Sequence, residues 1–185
     1  MTSAGRLPAE VTTERLTMRE WALDDVDALA RAVNESLDHL RPFMAWAALE
    51  PLQRNERTAL IDGWHAESSS GDDVVYGVFL DGTPIGGTGL HRRLGPRTLE
   101  IGYWIHVDHL RQGYATELTR GLTTAAFGYP GIACVGIHHD EANTASAGVP
   151  RKLGFTLVRK QPREPTAPAE TGIEWQWAMR KADWV

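Results

Sequence analysis

Three short stretches of this sequence bring together residue types able to act on an anion or an amine. The first is Arg111-Gln112-Gly113-Tyr114-Ala115, set between a strand-like run and a helix-like run. Gly113 has no Cβ, so a ligand can approach the backbone closely there, and Ala115 is small to the same effect. The first N–H groups of the helix that follows are unpaired and lie at its positive end, a cradle for a pyrophosphate. Taken alone, the motif also fits an ordinary strand-to-helix turn. The second stretch is the alternating run Leu99 to Val107, with Ile101, Tyr103, Ile105 and Val107 on one face and Glu100, Gly102, Trp104 and His106 on the other. An amine of pKa near 10 is mostly protonated at neutral pH, so attack on a carbonyl needs a base. Glu100 can take that proton directly or through water, and His106, with an ordinary pKa near 6.5, is the rival base. A solvated or salt-bridged surface Glu is the plainer account of Glu100. The third stretch is Asn143-x-x-Ser146, where Asn143 suits a helix N-cap and Ser146 falls in the first turn.

Other groups offer less. His138-His139-Asp140-Glu141 looks metal-like, but adjacent residues of a strand point to opposite faces, so no metal is expected. Cys134 lies in the apolar run Ile132 to Ile137 and reads as a buried structural thiol. Seven Trp suit an aromatic-lined pocket as well as a core. Phe43, Met44, Trp46 and Trp64 are candidates for the wall of an acceptor site, each of them equally at home in a core, and Trp175 and Trp177 share one face of a late strand.

The elements that must position these residues follow from pattern. Residues 1–12 read as a loose lead-in, and Leu16 to Trp21 as a strand. A helix capped by Asp24 carries Val26, Leu29, Ala30 and Val33 at helical spacing, runs towards Leu40 and stops near Pro42. A second helix covers about Leu52 to Glu67, and Ser68 to Asp73 reads as a loop. Strands at Val74–Leu80, Pro84–His91 and Leu99–Val107 precede an amphipathic helix with Ala115, Leu118, Leu122 and Ala125 on one face. A strand at Ile132–His138, a helix from Asn143 to Leu153 ended by Gly154, and strands at Phe155–Arg159 and Ile173–Arg180 complete the chain, with a Pro-rich loop at Pro162–Gly172. The order β, α, α, β, β, β, α, β, α, β, β predicts an α/β layer fold with a mixed, mostly antiparallel central sheet.

Composition bounds the function. The chain has 185 residues, suiting one domain. With 19 Lys+Arg against 24 Asp+Glu, its net charge of −5 argues against bulk-charge binding of nucleic acid. One Cys excludes an intrachain disulfide and suits a cytoplasmic setting. No run of 18 apolar residues suggests a membrane span, and no apolar leader segment is seen.

The string Glu100-Ile-Gly-Tyr-Trp-Ile-His-Val, Leu110-Arg-Gln-Gly-Tyr-Ala-Thr-Glu, Asn143-Thr-Ala-Ser146 and Lys152-Leu-Gly-Phe155 resembles the GNAT superfamily of acyl-CoA-dependent N-acyltransferases, in its RimJ/RimL-like branch. Thr13 to Arg19 resembles the first strand of that branch, so the resemblance spans about residues 14–182 of a single domain covering 1–185. It implies a GNAT-type fold with helices on both faces of the sheet, acetyl-CoA as co-substrate and direct attack by a primary amine. It implies coenzyme binding by Gly113, Tyr114, Ala115 and Thr116, with Arg111, Gln112 and Asn143 beside them, and a pantetheine arm along Ile105, His106 and Val107. Glu100 matches the family's general base, and Ser146 matches a Ser that protonates the departing thiolate. The sequence departs from the family where Leu110 stands in place of an Arg or Gln, and Arg111 occupies a position where Gly is frequent. His138 flanks the implied acceptor site together with Trp104, and Glu164 lies in a loop where some relatives carry a second acid. The acceptor is a protein N-terminus or a small amine such as an antibiotic, with a mild lean of composition towards a small or cationic one. A succinyl-type donor, a non-catalytic acyl-CoA-binding protein, and a monomer or homodimer all stay open.

Overall fold

The computed structural model describes residues 6–71 and 73–185. Eight strands form one sheet in the order β1-β2-β3-β4-β5-β6-β8-β7. They are β1 (Glu10–Thr12), β2 (Leu16–Glu20), β3 (Val74–Leu80), β4 (Thr83–His91), β5 (Thr98–Ile105), β6 (Cys134–Asp140), β7 (Thr156–Pro162) and β8 (Ile173–Arg180). All neighbours pair antiparallel except β5 and β6. The helices are α1 (Val26–Glu35), α2 (Leu37–Leu40), α3 (Arg54–Ser70), α4 (Tyr114–Gly128) and α5 (Thr144–Lys152).

The alternation of β5 splits the core in two. Leu99, Ile101 and Ile105 join α4 residues Leu118 and Leu122 and the β6 residues Val135 and Ile137 in the larger cluster. On the opposite face, Trp104 packs partly against Trp21, Val26, Leu29, Ile61 and Phe79, the cluster under α1 and α3. Gly87 of β4 makes room there, because a Cβ would collide with the Trp104 indole.

The mixed, mostly antiparallel sheet with helices on both faces is as expected, and several boundaries move. Part of the lead-in, Glu10–Thr12, is a strand paired with β2, since main-chain pairing there does not require an apolar pattern. Met1 to Gly5 of the lead-in lie outside the described residues. The single early helix is two, broken at Ser36, whose N–H bonds back to Val33 O. Asp24 does not cap it: Asp25 stands at the N-cap position without a side-chain cap bond, and its Oδ2 accepts instead from the Ala22 N–H of the preceding turn at 2.8 Å. The second long helix runs to Ser70, so only the end of the expected loop is loop, and Asp72 lies outside the described residues. Val107 falls outside β5 in a 3-10 turn and is exposed.

Candidate active site

The parallel pair β5–β6 is short. Its register covers Thr98–Cys134, Leu99–Val135 and Glu100–Gly136, and then the strands part. Beyond Glu100, residues 101–105 of β5 are paired with β4 on one side only. The sheet therefore opens into a wedge whose β5 wall presents free main-chain groups, an edge on which an extended polar arm can hydrogen-bond.

At the wide end of the wedge the chain turns from β5 into α4. Arg111 and Gly113 both adopt positive φ, 59° and 86°. Gly113 caps α4, and the first helical bond runs from the Glu117 N–H to Gly113 O at 3.0 Å. The N–H groups of Tyr114, Ala115 and Thr116 precede it and are the unpaired donors of a helix start, an anion cradle. The Tyr114 ring is buried and the Arg111 and Gln112 side chains are exposed. Arg15 reinforces the spot. Its guanidinium lies 4.4 Å over the Tyr114 ring, donates to Gln112 O at 3.3 Å and pairs with Glu117 at 2.6 Å. The hydrogen bond to Glu117 raises its already high pKa, so the charge is permanent. Arg15 was not singled out from sequence as a loop contact, because 97 positions separate it from Gln112. A groove of about 690 Å³ runs from Gly113 between α4 and the β1–β2 hairpin, with Thr12, Thr116, Arg120 and Lys152 among its walls.

The narrow end of the wedge holds Glu100, half-buried and directly opposite His91 of β4. The His91 Nδ1 is 2.7 Å from Asp73 Oδ2. Glu100, His138 and Gln176 share one face through the registers of β5, β6 and β8. Glu174 lies farther along this face. Burial alone would raise its carboxyl pKa, but bonds from Gln176 and Gln161 hold it below the usual range. The packing of α1 and α3 concentrates on β4 and β3, and on the β6–β8–β7 part of this face Leu94 packs over Gly136 while the polar His138, Glu174 and Gln176 stay half-buried. At one side stands Trp46, its ring 6.2 Å from that of Trp104. Phe43 and Met44 stand half-buried nearby in the chain, while Trp64 packs on the core cluster under α3. The Pro-rich loop bounds the other side as a strap. Ala169 N–H donates to Pro42 O at 3.0 Å, tying the strap to the linker that carries Trp46. Glu164 is exposed on the strap.

Asp140 anchors the strap's end. Its carboxylate accepts from the N–H groups of Ala142, Thr171 and Gly172 and from the Thr171 hydroxyl, at 2.9–3.0 Å. Burial opposes the charge, but these donors prevail and bring the pKa to about 2. His138 and His139 do point to opposite faces. His139 turns to the tryptophans, accepting from Trp177 Nε1 at 2.8 Å, and its burial lowers its pKa. No metal-holding cluster exists among the described residues. Cys134 is half-buried rather than fully buried, and desolvation pushes its thiol up.

His106 does not sit as a free base. Its Nδ1 accepts from the Asp108 N–H at 3.2 Å, which assigns the ring proton to Nε2, 3.0 Å from Glu35 Oε2. Both nitrogens are thus committed, and the main-chain N–H groups of His106 and Val107 are taken by Ile85 O and Ser36 Oγ. Of the proposed arm-binding residues, only Ile105 lies on the free edge of β5.

Asn143 caps α5, accepting from the Ser146 N–H at 3.1 Å. The Ser146 hydroxyl lies 3.3 Å from the Tyr103 hydroxyl, which reaches over from β5. Tyr103 reads in sequence as one more member of an apolar face. The signal available was a lone phenol among aliphatic residues.

A family model for the acetyltransferase (GNAT) domain matches residues 15–156. A Bacillus subtilis (strain 168) protein described as "Putative ribosomal N-acetyltransferase YdaF" is 27% identical over 143 residues, 77% of this chain and 78% of that protein. The solved structure of RimL, a ribosomal L7/L12 alpha-N-protein acetyltransferase in complex with coenzyme A, superposes with a TM-score of 0.83 at 20% identity, covering 95% of this chain and 98% of its own. The microcin C7 self-immunity acetyltransferase MccE, in complex with acetyl-CoA and AMP, gives 0.83 at 16% identity over 91% and 93%. A family match across most of the chain, on a fold whose sheet opens beside a helix-start anion cradle, makes this protein a member of the GNAT acetyltransferase family.

Proposed function

We propose that this acetyltransferase moves an acetyl group from acetyl-CoA to the α-amine of a polypeptide N-terminus. The observation that carries the reading is the polar face that His138, Gln176 and Glu174 form across β6 and β8, beyond Glu100 and Leu94, with Trp46 and Trp104 at one side. A polar sheet face can hold an extended chain end through main-chain and side-chain hydrogen bonds. The described function of YdaF and RimL points the same way.

The residues divide the work across the sheet. The Tyr114, Ala115 and Thr116 N–H groups and Arg15 hold the pyrophosphate, and the free β5 edge holds the pantetheine arm. Glu100 takes the amine's proton as nitrogen adds to the thioester carbonyl. An α-amine of pKa about 7.7–8.0 surrenders that proton more readily than a Lys amine near 10.4. Ser146 gives the departing sulfur its proton.

A small cationic amine is the second reading, favoured by Glu100 and Glu174 on one face. Free-thiol release from acetyl-CoA separates the two. The panel holds peptides with varied N-terminal residues, the same peptides Nα-blocked, aminoacyl sulfamates, aminoglycosides and polyamines. Release with free but not blocked peptides supports the first reading. Release only with a small amine overturns it. Glu100→Gln should collapse turnover and spare coenzyme binding, and unchanged turnover removes Glu100 from the base role.

A further inference from the structure

We propose that Tyr103 and Pro150 act together as positioning residues that hold Ser146 across the split in the sheet. The proposal rests on the acetyl-transfer reading, in which Ser146 serves the leaving sulfur. Tyr103 belongs to the wall of β5 beyond the last β5–β6 pair, and Ser146 belongs to the first turns of α5, on the far wall. The Tyr103 hydroxyl spans the gap, 3.3 Å from Ser146 Oγ and 3.3 Å from Ser146 O.

Pro150 makes that contact available. In an α-helix the N–H of each residue bonds the carbonyl four positions earlier. Pro150 lies inside α5 and has no N–H, so the Ser146 carbonyl lacks its helical donor. The phenol supplies one. Burial pushes the Tyr103 pKa up to about 12, so the group keeps its proton at any working pH. A Pro in a helix interior is destabilising, and a cost retained beside a catalytic candidate calls for a use.

That use is geometric. Gly113 and the helix start lie on the α4 side of the sheet, and Glu100 faces the other side. An arm held at the first and reacting at the second must cross the sheet layer at the wedge, beside Tyr103 and Ser146. With its carbonyl and hydroxyl both met by one phenol, Ser146 keeps Oγ on the wedge. As the C–N bond forms and the C–S bond breaks, the Ser146 hydroxyl hydrogen, until then donated to the Tyr103 oxygen, turns to the departing sulfur and is transferred to it. The Tyr103 hydrogen then turns to Oγ, and the proton that Glu100 took from the amine returns to Ser146 through solvent.

The test compares wild type, Tyr103→Phe, Ser146→Ala, their double variant and Pro150→Ala. Kinetics use acetyl-CoA and the amine active in the panel, and thermal melts use no substrate. Tyr103→Phe should lower kcat about tenfold, the size of one net hydrogen bond, with KM for acetyl-CoA held within about twofold. It should cost nothing further in the Ser146→Ala background. Pro150→Ala should raise the melting temperature and still lower kcat, opposite movements that a merely structural role does not produce. Multiplicative losses in the double variant, or an undiminished kcat in Tyr103→Phe, overturn the proposal. If wild type releases no thiol with any amine, the acetyl-transfer reading fails by itself and the melts decide the rest. Additive destabilisation by Tyr103→Phe and Ser146→Ala then overturns the pairing, and a double loss smaller than the sum upholds it.

Discussion

Replacing Asp140 by Asn tests whether the strap is held by one buried carboxylate. Oδ1 accepts from the Ala142 and Thr171 N–H groups and the Thr171 hydroxyl, and Oδ2 accepts from the Gly172 N–H at 2.9 Å. An Asn can keep its carbonyl at the Oδ1 position only by placing NH₂ against the Gly172 N–H. The flipped amide is worse, setting NH₂ against three donors. At least one charge-assisted bond is lost and one N–H is left unmet, a cost of about 2–3 kcal/mol. For a chain of this size that is a fall of roughly 4–12 °C in melting temperature. The carboxyl ionises at about 2 in the folded protein, below the ~3.9 of an unfolded Asp. Its contribution is therefore present above about pH 4 and lost as the pH falls towards 2. Thermal melts of wild type and Asp140→Asn from pH 7 downwards should show curves that converge in acid. The strap also touches Pro42, so the variant should raise KM for the acceptor more than KM for acetyl-CoA. Melting temperatures that match at pH 7, or a gap that does not narrow in acid, refute this account.

Three further outcomes follow from the same kind of reasoning. Arg57 and Glu50 form a buried ion pair at 2.6 Å, so Glu50→Ala should cost about 3–5 kcal/mol in a urea melt, while Glu50→Leu with Arg57→Met should come within about 1 kcal/mol of wild type or exceed it. Gly113→Ala forces a side chain into φ 86° and should cost about 1–2 kcal/mol while weakening coenzyme A binding measured by calorimetry. Arg111→Gly relieves φ 59° but loosens the unfolded chain, so stability should stay within roughly 1 kcal/mol, and any fall in coenzyme A affinity then reads the Arg111 charge.

Much of this molecule was legible in the chain because its signals are local. The alternation of Leu99 to Ile105 set Glu100 and Trp104 on one face and Tyr103 on the other. Gly113 marked the start of α4 because only a left-handed residue turns the chain there, and Asn143 announced the cap of α5 through a side chain that meets its own helix. Opposite faces for His138 and His139 followed from the two-residue period of a strand, and the family motifs lie in these same local stretches. Contacts between distant positions were not legible, because no periodicity encodes them. Arg15 reaches the α4 start from 97 positions away, and Glu35 bonds His106 from 71 away, a contact that no local pattern announces. Tyr103 looked apolar until α5 was laid beside it, when Pro150, which reads in sequence only as a helix breaker, proved to leave a carbonyl for its hydroxyl. Local chemistry chose the elements and their faces. The length over which β5 and β6 stay paired, which creates the wedge and decides what meets inside it, belongs to the packing of the whole sheet.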